Sequence, residues 1–102
     1  MILELAFIEV LPANHEAFEA AVKKGVEEVL SRAPGFIAVE LQKGIERADT
    51  YNLHIHWETL EDHTVGFRES ELFGQWRAII GVYFANPPVV QHWSGLWRYV
   101  KS

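Results

Sequence analysis

The alternation of apolar and polar positions divides the chain into six segments. Ile2 to Leu11 is rich in β-branched and large apolar residues and stops at Pro12, which predicts a first strand. Asn14 is a good N-cap, and His15 to Arg32 follows with helical spacing. Phe18, Val22, Gly25, Val29 and Ala33 share one face, while Glu19, Lys23 and Glu27 form a charged row opposite. Pro34-Gly35 ends this helix. Phe36 to Lys43 and Tyr51 to Glu58 read as two strands joined by the polar turn Gly44 to Thr50, close enough for a hairpin. Thr59 then caps a helix, with Asp62 where a capping box wants an acid. A break near Arg68 to Ser70 precedes a second stripe: Phe73, Trp76, Ile79, Ile80, Tyr83 and Phe84. Asn86-Pro87-Pro88 ends it, and Val89 to Val100 is predicted as the last strand.

The order β-α-β-β-α-β is that of an α+β, ferredoxin-like domain, with two helices on one face of an antiparallel sheet. The first strand is apolar on both sides: Ile2, Ala6, Ile8 and Val10 on one, Leu3, Leu5, Phe7 and Leu11 on the other. A half-exposed antiparallel sheet should alternate apolar with polar. The helices cover a single face, so the other calls for a second chain. A homodimer with sheets packed face to face is the expected closed solution, with Trp93, Trp97 and Tyr99 assigned to the interface.

Composition narrows the class. A chain of 102 residues with 49% hydrophobic and 13% aromatic positions predicts one compact domain, residues 1–102. The net charge is −5 and no basic cluster exceeds Lys23-Lys24, so a nucleic-acid partner is not expected. Cysteine is absent, which removes disulfides and thiol nucleophiles. No apolar run nears the roughly 20 residues that span a bilayer, and Glu4 and Glu9 stand near the N-terminus where a signal peptide would be basic and then apolar. These features predict a soluble, cytoplasmic protein with no membrane partner.

Pro34-Gly35-Phe36 before the second strand, Trp57-Glu58 closing the third, and the Phe67 to Phe73 spacing resemble the antibiotic biosynthesis monooxygenase family along essentially the whole chain. That resemblance implies a dimeric α/β barrel and, in many members, cofactor-independent oxygenation of quinols or anthrone-like polyketides. Such members commonly carry a histidine six residues before the later phenylalanine. Counting six back from Phe73 gives Phe67, so that histidine is missing, and His63 stands one helical turn earlier. Haem-degrading members carry an Asn on the first strand and a Trp and His on the second helix. Here the first strand lacks Asn, and Phe67 and Arg77 occupy the neighbourhood of the other two, so haem degradation is not expected.

Oxygenation without a cofactor needs an acidic, electron-rich substrate whose anion can pass an electron to dioxygen. The protein then supplies a dry aromatic cavity, a base, and donors for the enolate oxygen. His63 is the candidate catalytic base, since imidazole titrates near neutrality; the alternative is a surface histidine in a first helical turn. Trp57, Phe67, Trp76, Arg77, Tyr83 and His92 are the candidate substrate-binding residues for a small aromatic molecule. The same aromatics at helical spacing also suit a core, and Arg77 could equally pair with Glu69 or Glu71. His54 and His56 lie roughly 7 Å apart on one strand face, continued by Glu58; a polar strip is expected there, and no metal or cofactor. The rival functions are a non-catalytic small-molecule-binding or stress-associated protein using the same pocket, and a structural dimerisation module.

Overall fold

The computed structural model describes residues 1–102. Its elements are β1 (Ile2–Glu9), α1 (His15–Glu28), β2 (Phe36–Lys43), β3 (Thr50–Trp57), α2 (Glu71–Ile80) and β4 (Val89–Ser94). A π-helical turn at Asp62–Phe67 joins β3 to α2. The strands form one antiparallel sheet in the order β2-β3-β1-β4, the ferredoxin-like arrangement. Both helices pack on one face, giving a slab of 38 × 37 × 23 Å.

Strand alternation explains which residues the helices cover. Tyr51, Leu53, Ile55 and Trp57 of β3 are buried beside Ala6 and Ile8 of β1, under Phe18, Val22, Trp76 and Ile80 of the helices. The two helices approach closely at Gly25. A Cβ there would lie 2.9 Å from the Trp76 ring, so only glycine lets α1 and the indole meet.

The opposite face of the sheet has no layer over it. Leu3, Leu5 and Phe7 lie there half-buried, beside Asn52, His54 and His56 of β3 and Val89, Gln91 and Trp93 of β4. The expected two-sided apolarity of β1 is therefore real. His54 and His56 stand on this open face, away from the helices.

Three expectations need correction. The last strand ends at Ser94 rather than Val100, because its neighbour β1 begins at Ile2, which already pairs with Ser94. Leu96, Trp97, Tyr99 and Val100 are thus an exposed tail outside the sheet. Asn14 makes no side-chain cap; it closes a short 3-10 turn, Pro12–Asn14, that feeds directly into α1. The first helix stops at Glu28, and Leu30–Arg32 continues as a separate 3-10 turn.

Candidate functional site

The capping box after β3 sets the site. The Asp62 N–H donates to Thr59 Oγ1 and the Thr59 N–H donates to Asp62 Oδ2, both at 3.1 Å. These reciprocal bonds satisfy donors that a helix start leaves open. The chain then widens into the π turn, which directs His63 and Phe67 inward; both are buried. The imidazole of His63 stacks on the Trp57 indole, with centroids 5.3 Å apart and planes 18° apart. Phe67 tilts against the same indole at 5.5 Å.

Three strands and the π turn bring a polar cluster together in this apolar setting. Glu4 projects from β1 to the helix side, level with Ile55 of β3 and His92 of β4. It is only 6% exposed, and with His63 at 3% it makes up the buried polar set of the core. Glu4 Oε1 accepts from Trp57 Nε1 at 2.9 Å and lies 3.3 Å from His63 Nε2. His63 Nδ1 pairs with His92 Nε2 at 2.8 Å. The result is a line of contacts: Trp57, Glu4, His63, His92.

Burial sets the protonation states. It pushes the Glu4 carboxyl up to about 6, with the Trp57 hydrogen bond and the Arg68 charge pulling the other way. It pulls His63 down to about 4, with the positive charges of Arg68 and His92 adding to the effect. His92 is lowered as well, by burial and then by Arg68. The close approach of acid and imidazole would alone favour an ion pair, but loss of solvent on both sides outweighs it. At neutral pH the cluster therefore holds an ionised Glu4 beside a neutral His63.

Glu4 and His63 form part of the wall of a cavity of about 560 Å³, which opens between the sheet and α2. Phe67, Phe73, Trp76, Ile80 and Phe84 supply aromatic and aliphatic wall, and Arg68 and Arg77 bring two guanidinium groups. Arg77 lies over the rings of Phe73 and Phe84, 5.8 and 5.7 Å from their centroids, instead of pairing with Glu69 or Glu71. The volume suits a drug-sized, flat molecule.

Of the residues singled out from sequence, His63, Phe67, Trp76 and Arg77 line this cavity and three do not. Trp57 is fully buried behind His63, where it is a backing plate and a donor to Glu4. Tyr83 turns toward α1 and meets the Phe18 ring edge-on at 6.4 Å. His92 sits beyond His63 and touches the site through it. Glu4 was missed. Its signal was a single acid in the otherwise apolar row Ile2, Glu4, Ala6, Ile8, Val10, which the structure places under the helices.

Comparison with known proteins agrees with this architecture. Residues 1–79 match the antibiotic biosynthesis monooxygenase family. The uncharacterised protein YczJ of Bacillus subtilis (strain 168) is 33% identical over 94 residues, which are 92% of this chain and 98% of that one. A crystal structure of a candidate antibiotic biosynthesis monooxygenase from Bordetella bronchiseptica superposes with a TM-score of 0.88 at 38% identity, covering 94% of this chain and 97% of the other. The monooxygenase ActVA-Orf6 of Streptomyces coelicolor, solved with nanaomycin D, shares the fold at a TM-score of 0.85 and 16% identity, covering 99% and 92%. The chain belongs to the antibiotic biosynthesis monooxygenase family.

Proposed function

We propose that the chain is a cofactor-independent monooxygenase for a small electron-rich aromatic of the quinol, anthrone or polyketide type. The active form in this reading is a cytoplasmic homodimer in which residues 1–102 act as one domain. The observation that carries it is the buried Glu4–His63 pair in the wall of a roughly 560 Å³ aromatic cavity. An acidic substrate seated there would lose its proton to this pair. Its anion would pass one electron to dioxygen, recombination of the two radicals would form a carbon–oxygen bond to a peroxide, and the protonated peroxide would lose its outer oxygen as water to leave a carbonyl. Phe67 and Trp76 would hold the ring, and Arg77 the developing oxyanion. The family membership and the nanaomycin D complex of the Streptomyces relative support the substrate class.

Self-association is supported by the uncovered sheet face, where Leu3, Leu5 and Phe7 are half-buried and Trp93 is exposed. A second copy there would bury Leu3, Leu5, Phe7 and Trp93.

Oxygen uptake against a panel of quinols, anthrones and flavonols, with chelator present, tests the function. Uptake above the spontaneous rate that falls by about 100-fold or more in His63→Ala is the expected result. Ligand-dependent stabilisation without uptake would instead identify a binding protein.

A further inference from the structure

Resting on the reading that an acidic aromatic occupies the cavity, we propose that Glu4 rather than His63 is the group that receives its proton. His63 is then a positioning residue, the link between Glu4 and His92.

Hydrogen-bonding capacity is the first argument. Both nitrogens of His63 are engaged, Nδ1 with His92 at 2.8 Å and Nε2 toward Glu4 at 3.3 Å. A neutral imidazole has one lone pair, and this one is spent within the cluster. Glu4 differs. Its contacts with Trp57 and His63 both fall on Oε1, and the residue lines the cavity, so Oε2 is the free acceptor.

Proton affinity is the second. Glu4 sits near 6, suited to accepting a proton near neutrality, whereas His63 near 4 is the weaker base. The groups facing Glu4 are His63 and Arg68 from the connection after β3, His92 from β4 and Arg77 from α2. Burial disfavours charge on the two imidazoles, both arginines are exposed, and loss of solvent remains the largest influence on the carboxylate, which keeps its raised affinity.

The third argument is that the cluster accommodates both states of Glu4 without a buried imidazolium. With Glu4 ionised, His63 presents Nε2–H to the carboxylate, and Nδ1 accepts from His92. With Glu4 protonated on Oε2, Oε1 still accepts from His63 Nε2–H and from Trp57, and Nδ1 still accepts from His92, so neither ring changes its tautomer. In the proton-transfer step the ligand O–H bond breaks, its electron pair stays on oxygen as the phenolate, and the proton bonds to Oε2. Arg68 and Arg77 remain to face the anion.

Two measurements test this without any oxygen chemistry. In protein labelled with carbon-13 at the glutamate carboxyls, the resonance absent from Glu4→Gln is that of Glu4. Its titration midpoint should be near 6, and a midpoint at the ordinary 4.5 overturns the proposal. Saturating 4-nitrophenol near pH 6, where the free probe is mostly neutral, should show a phenolate band on binding to the wild type. Glu4→Gln should lose that band and His63→Gln should keep it. No band in the wild type, or a band kept by Glu4→Gln and lost by His63→Gln, overturns the assignment. Both positive results together with no oxygen uptake would uphold Glu4 as acceptor and sink the oxygenase reading instead.

Discussion

Glu4 carries a cost that can be measured in the absence of any ligand. Its carboxyl rises from 4.5 in the unfolded chain to about 6 when folded, so the folded state binds the proton more tightly. The stability this contributes is complete below pH 4.5 and is lost as pH rises through 6, a difference of about 2 kcal/mol. Glu4→Gln keeps an acceptor for Trp57 and has no charge to desolvate. Its stability relative to wild type, measured by urea titration, should therefore rise by about 2 kcal/mol between pH 4 and pH 8. His63 works in the opposite sense, since its lowered value contributes stability above pH 6.5 that disappears as pH falls through about 4. Between pH 4.5 and 6 the two nearly cancel, and because His63 has the larger shift, their sum favours the folded state most above pH 6.5. This was only half legible in the sequence. His63 was identifiable as the titratable group near an aromatic strand end, but its partner Glu4 lies 59 positions away and meets it only through sheet register. The place of Glu4 in an apolar row was visible, but a strand apolar on both sides does not say which side the helices cover.

At the scale of the element, the connection from β3 to α2 decides where His63 stands. Thr59→Ala removes one half of the capping box and should cost about 1 kcal/mol, readable as a shift in urea midpoint. Gly35 adds a second constraint. It has a φ of 84°, and a methyl group there would overlap the Asp62 carboxyl. Gly35→Ala should cost more than Thr59→Ala, because it strains the backbone by roughly 1–2 kcal/mol and also displaces the cap. Both variants should weaken ligand binding through His63 although neither residue lines the cavity. The cap was readable from the Thr59-to-Asp62 spacing, and the break at Arg68 to Ser70 from the loss of apolar period. The π turn was not, because one extra residue per turn leaves His63 and Phe67 on the inner side just as an α-helix would. The length of β4 was equally hidden: Val89 to Val100 alternates throughout, yet strand length depends on the partner, and β1 runs out at Ile2.

The whole molecule is a two-layer slab with one naked side. Leu5 is at the centre of that side, between His54 and Gln91 in register. Leu5→Lys should convert a dimer into a monomer in light scattering, while the helix-covered core stays folded by circular dichroism. That β1 is apolar on both sides was evident from its residues alone, and this pattern is why the sequence calls for a second copy.

The same strand has a further consequence. Leu3 and Leu5 look toward the open side while Glu4, between them, looks into the cavity, so one rigid backbone segment serves both surfaces. A shift of this segment on pairing with a second copy would move Glu4 in the cavity wall. Ligand affinity should then depend on how concentrated the protein is: dilution until copies separate should loosen the ligand. By reciprocity the ligand should tighten self-association by the same factor. Assays run at nanomolar and at micromolar protein would be measuring two different binding sites made from one sequence.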